Sequence, residues 1–150
     1  MIELVSASTS DALVINGISK RSFESDVEIG APFKGGPPGY KSIQFHTKMA
    51  RSHHLYKLLA DGLIIGAAIL FVEGDSLTIG RILIGPEHYR KGYGVYMMQE
   101  IERMFPAAKE IFLDTPIWNI RTNSFYQKLG YTEYKRDGEF VYYTKRIACL

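Results

Sequence analysis

The sequence has a single cysteine, Cys149, among its 150 residues. One thiol cannot form an intramolecular disulfide, and it cannot supply the several thiolates of a structural metal cluster. A chain with so little cysteine is typical of a reducing compartment. We therefore expect a cytoplasmic protein.

Long apolar runs are also missing. The nearest candidate is residues 63–72, which is too short for a membrane helix, because such a helix needs about 18 apolar residues or more. The N-terminus lacks the cationic start and continuous apolar segment of a secretory signal peptide. These absences argue against a membrane as a partner.

The chain also lacks a strong net charge of either sign. The net charge is +2 and 23% of the residues are charged, and the basic residues are not gathered in one run. This balance argues against nucleic acid as the main partner. Hydrophobic residues make up 46% of the chain, enough for one sizeable core, so we expect a single domain over residues 1–150.

A buried strand, a loop and an amphipathic helix follow one another within residues 77–105. The loop, residues 89–94, reads Tyr-Arg-Lys-Gly-Tyr-Gly and leads directly into the helix. Its N–H groups and the positive end of the helix dipole should converge on one point. Gly92 and Gly94 lack the side chains that would hold a large anion away from the backbone. The stretch therefore predicts an anion site.

The helix after this loop should turn one stripe of apolar residues inward, namely Val95, Met98, Ile101 and Phe105. The loop has no third glycine for a dinucleotide fingerprint, and no Gly-Lys-Ser/Thr for a nucleoside triphosphate loop. Both of those nucleotide-binding classes are thereby disfavoured.

The rest of the chain alternates between strand and helix patterns. Residues 30–39 contain four glycines and three prolines and should be irregular; they form either a surface linker or a substrate-binding loop beside a site. The predicted strands are residues 2–7, 55–59, 63–72, 77–84, 111–115, 131–135 and 140–146, and the predicted helices are residues 11–23, 40–51, 95–105 and 119–129.

Two motifs resemble those of a known family. Residues 86–94 are similar to the pyrophosphate loop of the GNAT N-acetyltransferases, Gln/Arg-x-x-Gly-x-Gly/Ala, with Tyr89 where that family usually has Gln or Arg. Residues 119–131 resemble the family's second signature, an Asn followed seven residues later by Tyr and then by Leu-Gly-Phe/Tyr. The resemblance spans about residues 55–147.

The resemblance implies a fold and an activity. The fold would be α/β, with a mixed, mostly antiparallel sheet of about seven strands, splayed in the middle and flanked by helices on both faces. The activity would be direct transfer of the acetyl group of acetyl-CoA, as co-substrate and without a metal, to a primary amine of a small molecule or peptide. The implied cofactor-binding residues are Ile82, Leu83, Ile84, Tyr89, Arg90, Lys91, Gly92, Tyr93, Gly94, Val95, Asn119 and Tyr126.

The same resemblance makes Tyr126 the acid that protonates the departing thiolate, although an aromatic residue at this position could simply pack. Asn119 would contact the pantetheine arm, and it is equally suited to begin a helix as its N-cap. Asp114, at the end of its strand, is our first choice for a general base. His53 and His54 come next, and a water chain could replace a base altogether.

Three residues outside the motifs remain ambiguous. Arg81 faces an acidic group of the acceptor or covers a sheet edge, and Arg121 and Lys128 should form a solvated helix face. Two alternatives to a small-molecule enzyme also stay open: a CoA-binding sensor or structural module without turnover, and an acetyltransferase acting on protein or tRNA. The tail, residues 147–150, leaves a homodimer open.

Overall fold

Alternating apolar residues form strands in this chain, and apolar residues at helical spacing form helices, much as their patterns predict. The computed structural model describes residues 1–147. Its elements are β1 Ile2–Ser6, α1 Ala12–Glu24, α2 Ile43–Arg51, β2 Leu55–Ala60, β3 Leu63–Glu73, β4 Ser76–Ile84, α3 Tyr93–Met104, β5 Glu110–Pro116, α4 Ile120–Lys128, β6 Thr132–Arg136 and β7 Phe140–Arg146.

All seven strands lie in one sheet, in the order β1-β2-β3-β4-β5-β7-β6. Only β4 and β5 pair in parallel, and the other neighbours are antiparallel. A tight turn joins β2 to β3, with Asp61 at φ 50° and Gly62 at φ 82°. Two left-handed residues match the twist of a hairpin. The sheet confirms the predicted fold class.

The sheet is split between β4 and β5. Their pairing covers only Ser76, Leu77 and Thr78 of β4, although β4 continues to Ile84 and β5 to Pro116. Beyond Thr78 the two strands therefore diverge and leave backbone groups of β4 without a strand partner on that side. This divergence is the predicted splay, and it opens a cleft at the carboxyl ends of both strands.

A β-bulge lies where the split begins. Ile69 of β3 is opposite Arg81, whereas Leu70 is opposite Ile79, so Gly80 has no partner in the register. A Cβ atom on Gly80 would lie 2.8 Å from the Phe71 ring, which explains why this position has no side chain. The bulge lets Arg81 lie on the face of the sheet that α1 and α2 cover.

Helices cover both faces of the sheet, and each face has its own core. Against α3 and α4 the core contains Leu58, Leu70, Leu77, Ile79, Met97, Met98, Ile101, Ile111, Leu113, Tyr126 and Tyr143. Against α1 and α2 it contains Ala7, Ile15, Ile18, Ala50, Leu55, Ala67, Ile69 and Leu83. None of the helices within residues 1–147 is long and apolar enough to cross a membrane.

One sequence-based expectation needs correction. Val95 was predicted to face inward, but it is 38% exposed, and Met97, Met98 and Ile101 are the buried residues of α3. The reason is that Val95 lies in the first turn, beside the anion loop rather than over the sheet. The segment Ser25–Ile29 forms a 3-10 helix that the sequence did not indicate. Cys149 and the last residues of the tail lie outside the described part of the chain.

Candidate active site

The predicted anion loop lies at the carboxyl end of β4 and leads into α3. Arg90 has φ +64° and Gly92 has φ +82°, and these two left-handed residues curve the backbone around the N-terminus of the helix. Tyr89 N–H bonds to the Pro86 carbonyl oxygen at 3.2 Å. Among the described residues, no group accepts from the N–H groups of residues 90–95. Six donors are therefore available to an anion at a positive helix end.

The two glycines of the loop have different roles. A Cβ on Gly92 would have no neighbour within 4 Å, so this glycine is needed for its left-handed φ. A Cβ on Gly94 would lie 3.3 Å from Phe125 of α4. The absence of a side chain at Gly94 therefore lets α4 approach the start of α3.

Tyr89, which departs from the family pattern, turns toward α1. Its hydroxyl lies 3.2 Å from Ser22 Oγ and 3.5 Å from Ser25 Oγ. The guanidinium of Arg121 lies over its ring, 4.7 Å from the centroid. Tyr89 thus brings no charge to the loop, but a cation from α4 lies against it.

Arg121 is therefore not simply part of a solvated helix face, as the sequence suggested. Its side chain is 47% exposed, and its Nη2 lies 3.4 Å from Asp26 Oδ1, whose side chain is 13% exposed. Burial raises the pKa of Asp26 to about 6, and the positive charge of Arg121 offsets only part of that rise. Lys128, the other residue of the predicted face, is exposed.

The open edge of β4 offers backbone donors inside the cleft. Gly85 N–H donates to the Ile65 carbonyl oxygen of β3 at 2.8 Å. Successive residues of an antiparallel strand direct their N–H groups to alternate sides, so Leu83 N–H should also face β3. The N–H groups of Ile82 and Ile84 then face the side that β5 has left.

Tyr126 is buried at 8% exposure. Its ring centroid lies 5.3 Å from that of Phe125 and 6.1 Å from those of Tyr131 and Tyr143. Its hydroxyl has no hydrogen-bond partner among residues 1–147. Burial, and then the negative charge of Asp114, raise the pKa of Tyr126 well above its ordinary value. The structure thus places the two predicted catalytic side chains close enough to interact electrostatically.

Asp114 lies near the end of β5, opposite Tyr142 of β7. Its carboxylate reaches solvent and has no hydrogen-bond partner in the described part of the chain. Desolvation, and then the charge of Asp137, raise the pKa of Asp114. Asp137 itself is held by the Tyr142 hydroxyl at 2.7 Å. An unpaired carboxylate with a raised pKa is a better proton acceptor than an ordinary carboxylate.

His53 and His54, the alternative candidates for a general base, are poorly placed for catalysis. His53 is exposed, and His54 Nδ1 lies 3.0 Å from the Leu70 carbonyl oxygen, with its ring 4.5 Å from that of Phe71. Both precede β2, which β3 separates from the split pair of strands.

Asn119 is the N-cap of α4. Its side-chain oxygen accepts from Thr122 N–H at 3.0 Å, and the residue is 4% exposed. No group in residues 1–147 accepts from its amide nitrogen, so the capping role leaves that donor free.

A hydrogen-bonded support for Tyr126 was not predicted from the sequence. Tyr143 donates from its hydroxyl to Asn123 Oδ1 at 2.6 Å, and Gln127 donates to the same hydroxyl at 3.1 Å. Asn123 also donates to the Pro116 carbonyl oxygen at 3.0 Å. These contacts join β5, α4 and β7 around the Tyr126 ring. An Asn one turn before the motif tyrosine was the only available signal.

Arg81 of β4 forms a hydrogen bond with the glycine- and proline-rich residues 30–39. Its Nη2 donates to the Pro38 carbonyl oxygen, and its guanidinium lies 4.5 Å from the centroid of the Phe45 ring. Its Nη1 is buried without a partner among the described residues. A concavity of about 260 Å³ borders these groups. Arg81 therefore joins Pro38 of residues 30–39 to β4.

Comparisons with known proteins agree with this geometry. The model of the acetyltransferase (GNAT) family matches residues 23–131, more than half of the chain. No curated protein matches the sequence significantly.

Solved structures resemble the whole chain at low sequence identity. The PaiA N-acetyltransferase of Thermoplasma acidophilum, solved with coenzyme A, is 19% identical with a TM-score of 0.80, covering 98% of this chain and 99% of that chain. The ribosomal-protein-S18-alanine N-acetyltransferase of Escherichia coli is 18% identical with a TM-score of 0.77, covering 99% and 95%. The polyamine N-acetyltransferase of Drosophila melanogaster is 9% identical with a TM-score of 0.72, covering 98% and 100%. These likenesses show the fold.

Proposed function

The chain belongs to the GNAT acetyltransferase family, and from that premise we propose that it moves the acetyl group of acetyl-CoA directly to a primary amine of a small molecule or peptide. The observation that carries the proposal is one cleft with three suitable parts. The unpaired N–H groups of residues 90–95 lie at one end, the open edge of β4 forms one wall, and the third part is Tyr126, which packs with Tyr143 of β7.

The loop fits a pyrophosphate. Its N–H groups converge on the N-terminus of α3, and Arg90 and Lys91 are exposed beside them. Phosphate groups bind at such helix ends through backbone donors and the helix dipole. In this proposal residues 89–95 hold the pyrophosphate, and the amide nitrogen of Asn119 is available to the pantetheine arm.

The edge of β4 fits the thioester. An N–H group of Ile82 or Ile84 would donate to the thioester carbonyl oxygen, and it would donate more strongly as negative charge develops there. One such preorganised donor lowers a barrier by about 3 kcal/mol. The backbone of β4 therefore contributes to catalysis, although the strand carries no carboxylate.

Proton movements complete the reaction. The amine nitrogen attacks the carbonyl carbon, a C–N bond forms, the C–S bond breaks, and the thiolate takes a proton from the Tyr126 hydroxyl. The raised pKa of Tyr126 keeps that hydroxyl protonated at neutral pH, as a proton donor requires. Asp114, directly or through water, accepts the proton that the amine loses, and its raised pKa favours this role. The same proton then passes through water to the Tyr126 phenolate, which returns both side chains to their starting states.

The acceptor is an amine that fits between residues 30–39 and the hairpin of β6 and β7. The structural neighbours include one enzyme named for a polyamine and one named for a ribosomal protein, so acceptors of both sizes belong in a first screen.

The experiment measures release of the CoA thiol from acetyl-CoA in the presence of an amine panel, with the acetylated product identified by mass spectrometry. The proposal predicts amine-dependent release by the wild type. Tyr126→Phe should lower the rate at least tenfold while acetyl-CoA binds within threefold of wild type, and Tyr134→Phe, an exposed tyrosine of β6, should change neither. Binding without turnover for every amine would instead favour the CoA-binding module.

A further inference from the structure

The first residue of the anion loop lacks a charge. Tyr89 stands there, and its hydroxyl lies 3.2 Å from Ser22 Oγ of α1 and 3.5 Å from Ser25 Oγ, just after α1. It is therefore directed away from the free N–H groups of residues 90–95. A loop that binds a doubly charged pyrophosphate has its own cations at Arg90 and Lys91, whereas its first residue contributes none.

One face of α4 runs along the loop and brings a cation to that end. Arg121 lies 4.7 Å from the Tyr89 ring centroid. Phe125, four residues later on the same helix face, lies where a Cβ of Gly94 would be only 3.3 Å away. Two residues of α4 thus contact the first and last positions of the loop.

The position of Arg121 is unfavourable for the helix itself. It is the second residue of α4, where the helix dipole opposes a positive charge. Its ionic partner is Asp26, at 3.4 Å, which is long for a charged pair. A guanidinium has five N–H donors, and the described contacts use only one of them. Most of its donors therefore remain available.

We propose that Arg121 binds a phosphate of CoA and supplies the cation that position 89 lacks, while Asp26 holds the guanidinium when no phosphate is bound. This inference rests on the proposed function, because it assumes that CoA occupies the loop. Phosphate is the better partner, since a guanidinium can bind it with two parallel hydrogen bonds. The exchange involves no covalent step.

A purely structural role for Arg121 makes a different prediction. If the Arg121–Asp26 pair only fastened α4 to the segment Ser25–Ile29, removing either partner would weaken CoA binding alike. If Arg121 binds phosphate and Asp26 competes for it, the two variants act in opposite directions. Removing the guanidinium weakens binding, whereas removing the carboxylate leaves binding unchanged or tightens it.

The test is calorimetric titration of the full chain with CoA and with pantetheine, which lacks all the phosphates; pantetheine is also measured by competition against acetyl-CoA. Arg121→Gln should weaken CoA binding about tenfold, as expected for loss of a charged hydrogen bond. Pantetheine affinity should stay within twofold. Asp26→Asn should bind CoA at least as tightly as the wild type. The matched control is Arg136→Gln, an arginine of β6 paired with Glu133, which should change nothing.

The outcomes separate the inference from its premise. CoA binding by the wild type with an equal loss in Arg121→Gln and Asp26→Asn would overturn the phosphate role and leave the proposed function intact. An Arg121→Gln variant that binds CoA within twofold of wild type would do the same. Partial recovery in Arg121→Lys, with thermal unfolding matching Arg121→Gln, would support a charge contact. No CoA binding by the wild type would overturn both proposals.

Discussion

The replacement of Asp26 by Asn should stabilise the protein at neutral pH, although it removes one side of an ion pair. Asp26 is 13% exposed, and its one ionic partner among the described residues is Arg121 at 3.4 Å. Burial outweighs that attraction and raises the pKa of the carboxyl from 3.8 to about 6. The folded protein therefore binds a proton at this site more tightly than the unfolded chain does.

The sign and size of the effect follow from linkage. Because the folded-state pKa is the higher one, the free energy of unfolding falls as pH rises from about 4 to about 6, and it levels off above that range. A difference of about two pKa units corresponds to about 3 kcal/mol at most. An Asn of the same shape carries no charge and avoids this loss. The two proteins should be equally stable near pH 4 and diverge by about 1–3 kcal/mol at pH 8.

Urea unfolding followed by circular dichroism between pH 4.5 and 8 measures the difference directly. Asp75→Asn is the matched control, because that carboxylate is 64% exposed and loosely paired with Lys109; a surface substitution of this kind should leave the free energy of unfolding within about 0.5 kcal/mol of wild type. A variant Asp26→Asn that is less stable than wild type at pH 8, or a difference that does not change with pH, would refute the reasoning.

Three further substitutions test the backbone conformation and the hydrogen bonds that hold the candidate active site in place. Gly92→Ala should lower the free energy of unfolding by about 1 kcal/mol, because the position has φ +82° and an L-residue is strained there. An unchanged urea midpoint would argue against a left-handed backbone at this position. Tyr143→Phe removes the hydrogen bond to Asn123 at 2.6 Å, so it should lower the free energy of unfolding by about 1–2 kcal/mol and slow acetyl transfer. Wild-type stability and rate would contradict the role of Tyr143 in holding Tyr126. Asn119→Ala should cost about 1 kcal/mol as a lost N-cap, whereas Asn119→Asp should retain stability, and equal losses in both would argue against capping.

Features encoded by neighbouring residues could be predicted from the sequence. The strand, loop and helix around residues 77–104 follow from alternation, glycine placement and helical spacing, and all three elements are present. The two-residue turn at Asp61 and Gly62 follows from local chemistry in the same way. The splay of the sheet was different, because it came only from the resemblance: strand patterns do not encode that β4 and β5 pair at three positions and then part.

Features that depend on distant residues could not be predicted in this way. Arg121 looks like a solvated helical cation because its partners, Tyr89 and Asp26, lie 32 and 95 residues away in the chain. The outward position of Val95 depends on where α3 meets the sheet, which the helical period does not determine. Tyr126 was identified by its motif, but its surroundings of Tyr131 and Tyr143 are a product of folding.

The most direct test is calorimetric titration of three proteins with acetyl-CoA. The first is the wild type, and the second is the loop variant, in which Arg90 and Lys91 are both replaced by Ala. The third is a charge-matched control in which Lys48 and Arg51, two exposed cations of α2, are both replaced by Ala. We expect micromolar binding by the wild type and the control, and binding at least tenfold weaker in the loop variant. No binding by the wild type, or equal binding by all three proteins, would contradict a cofactor site built on this loop.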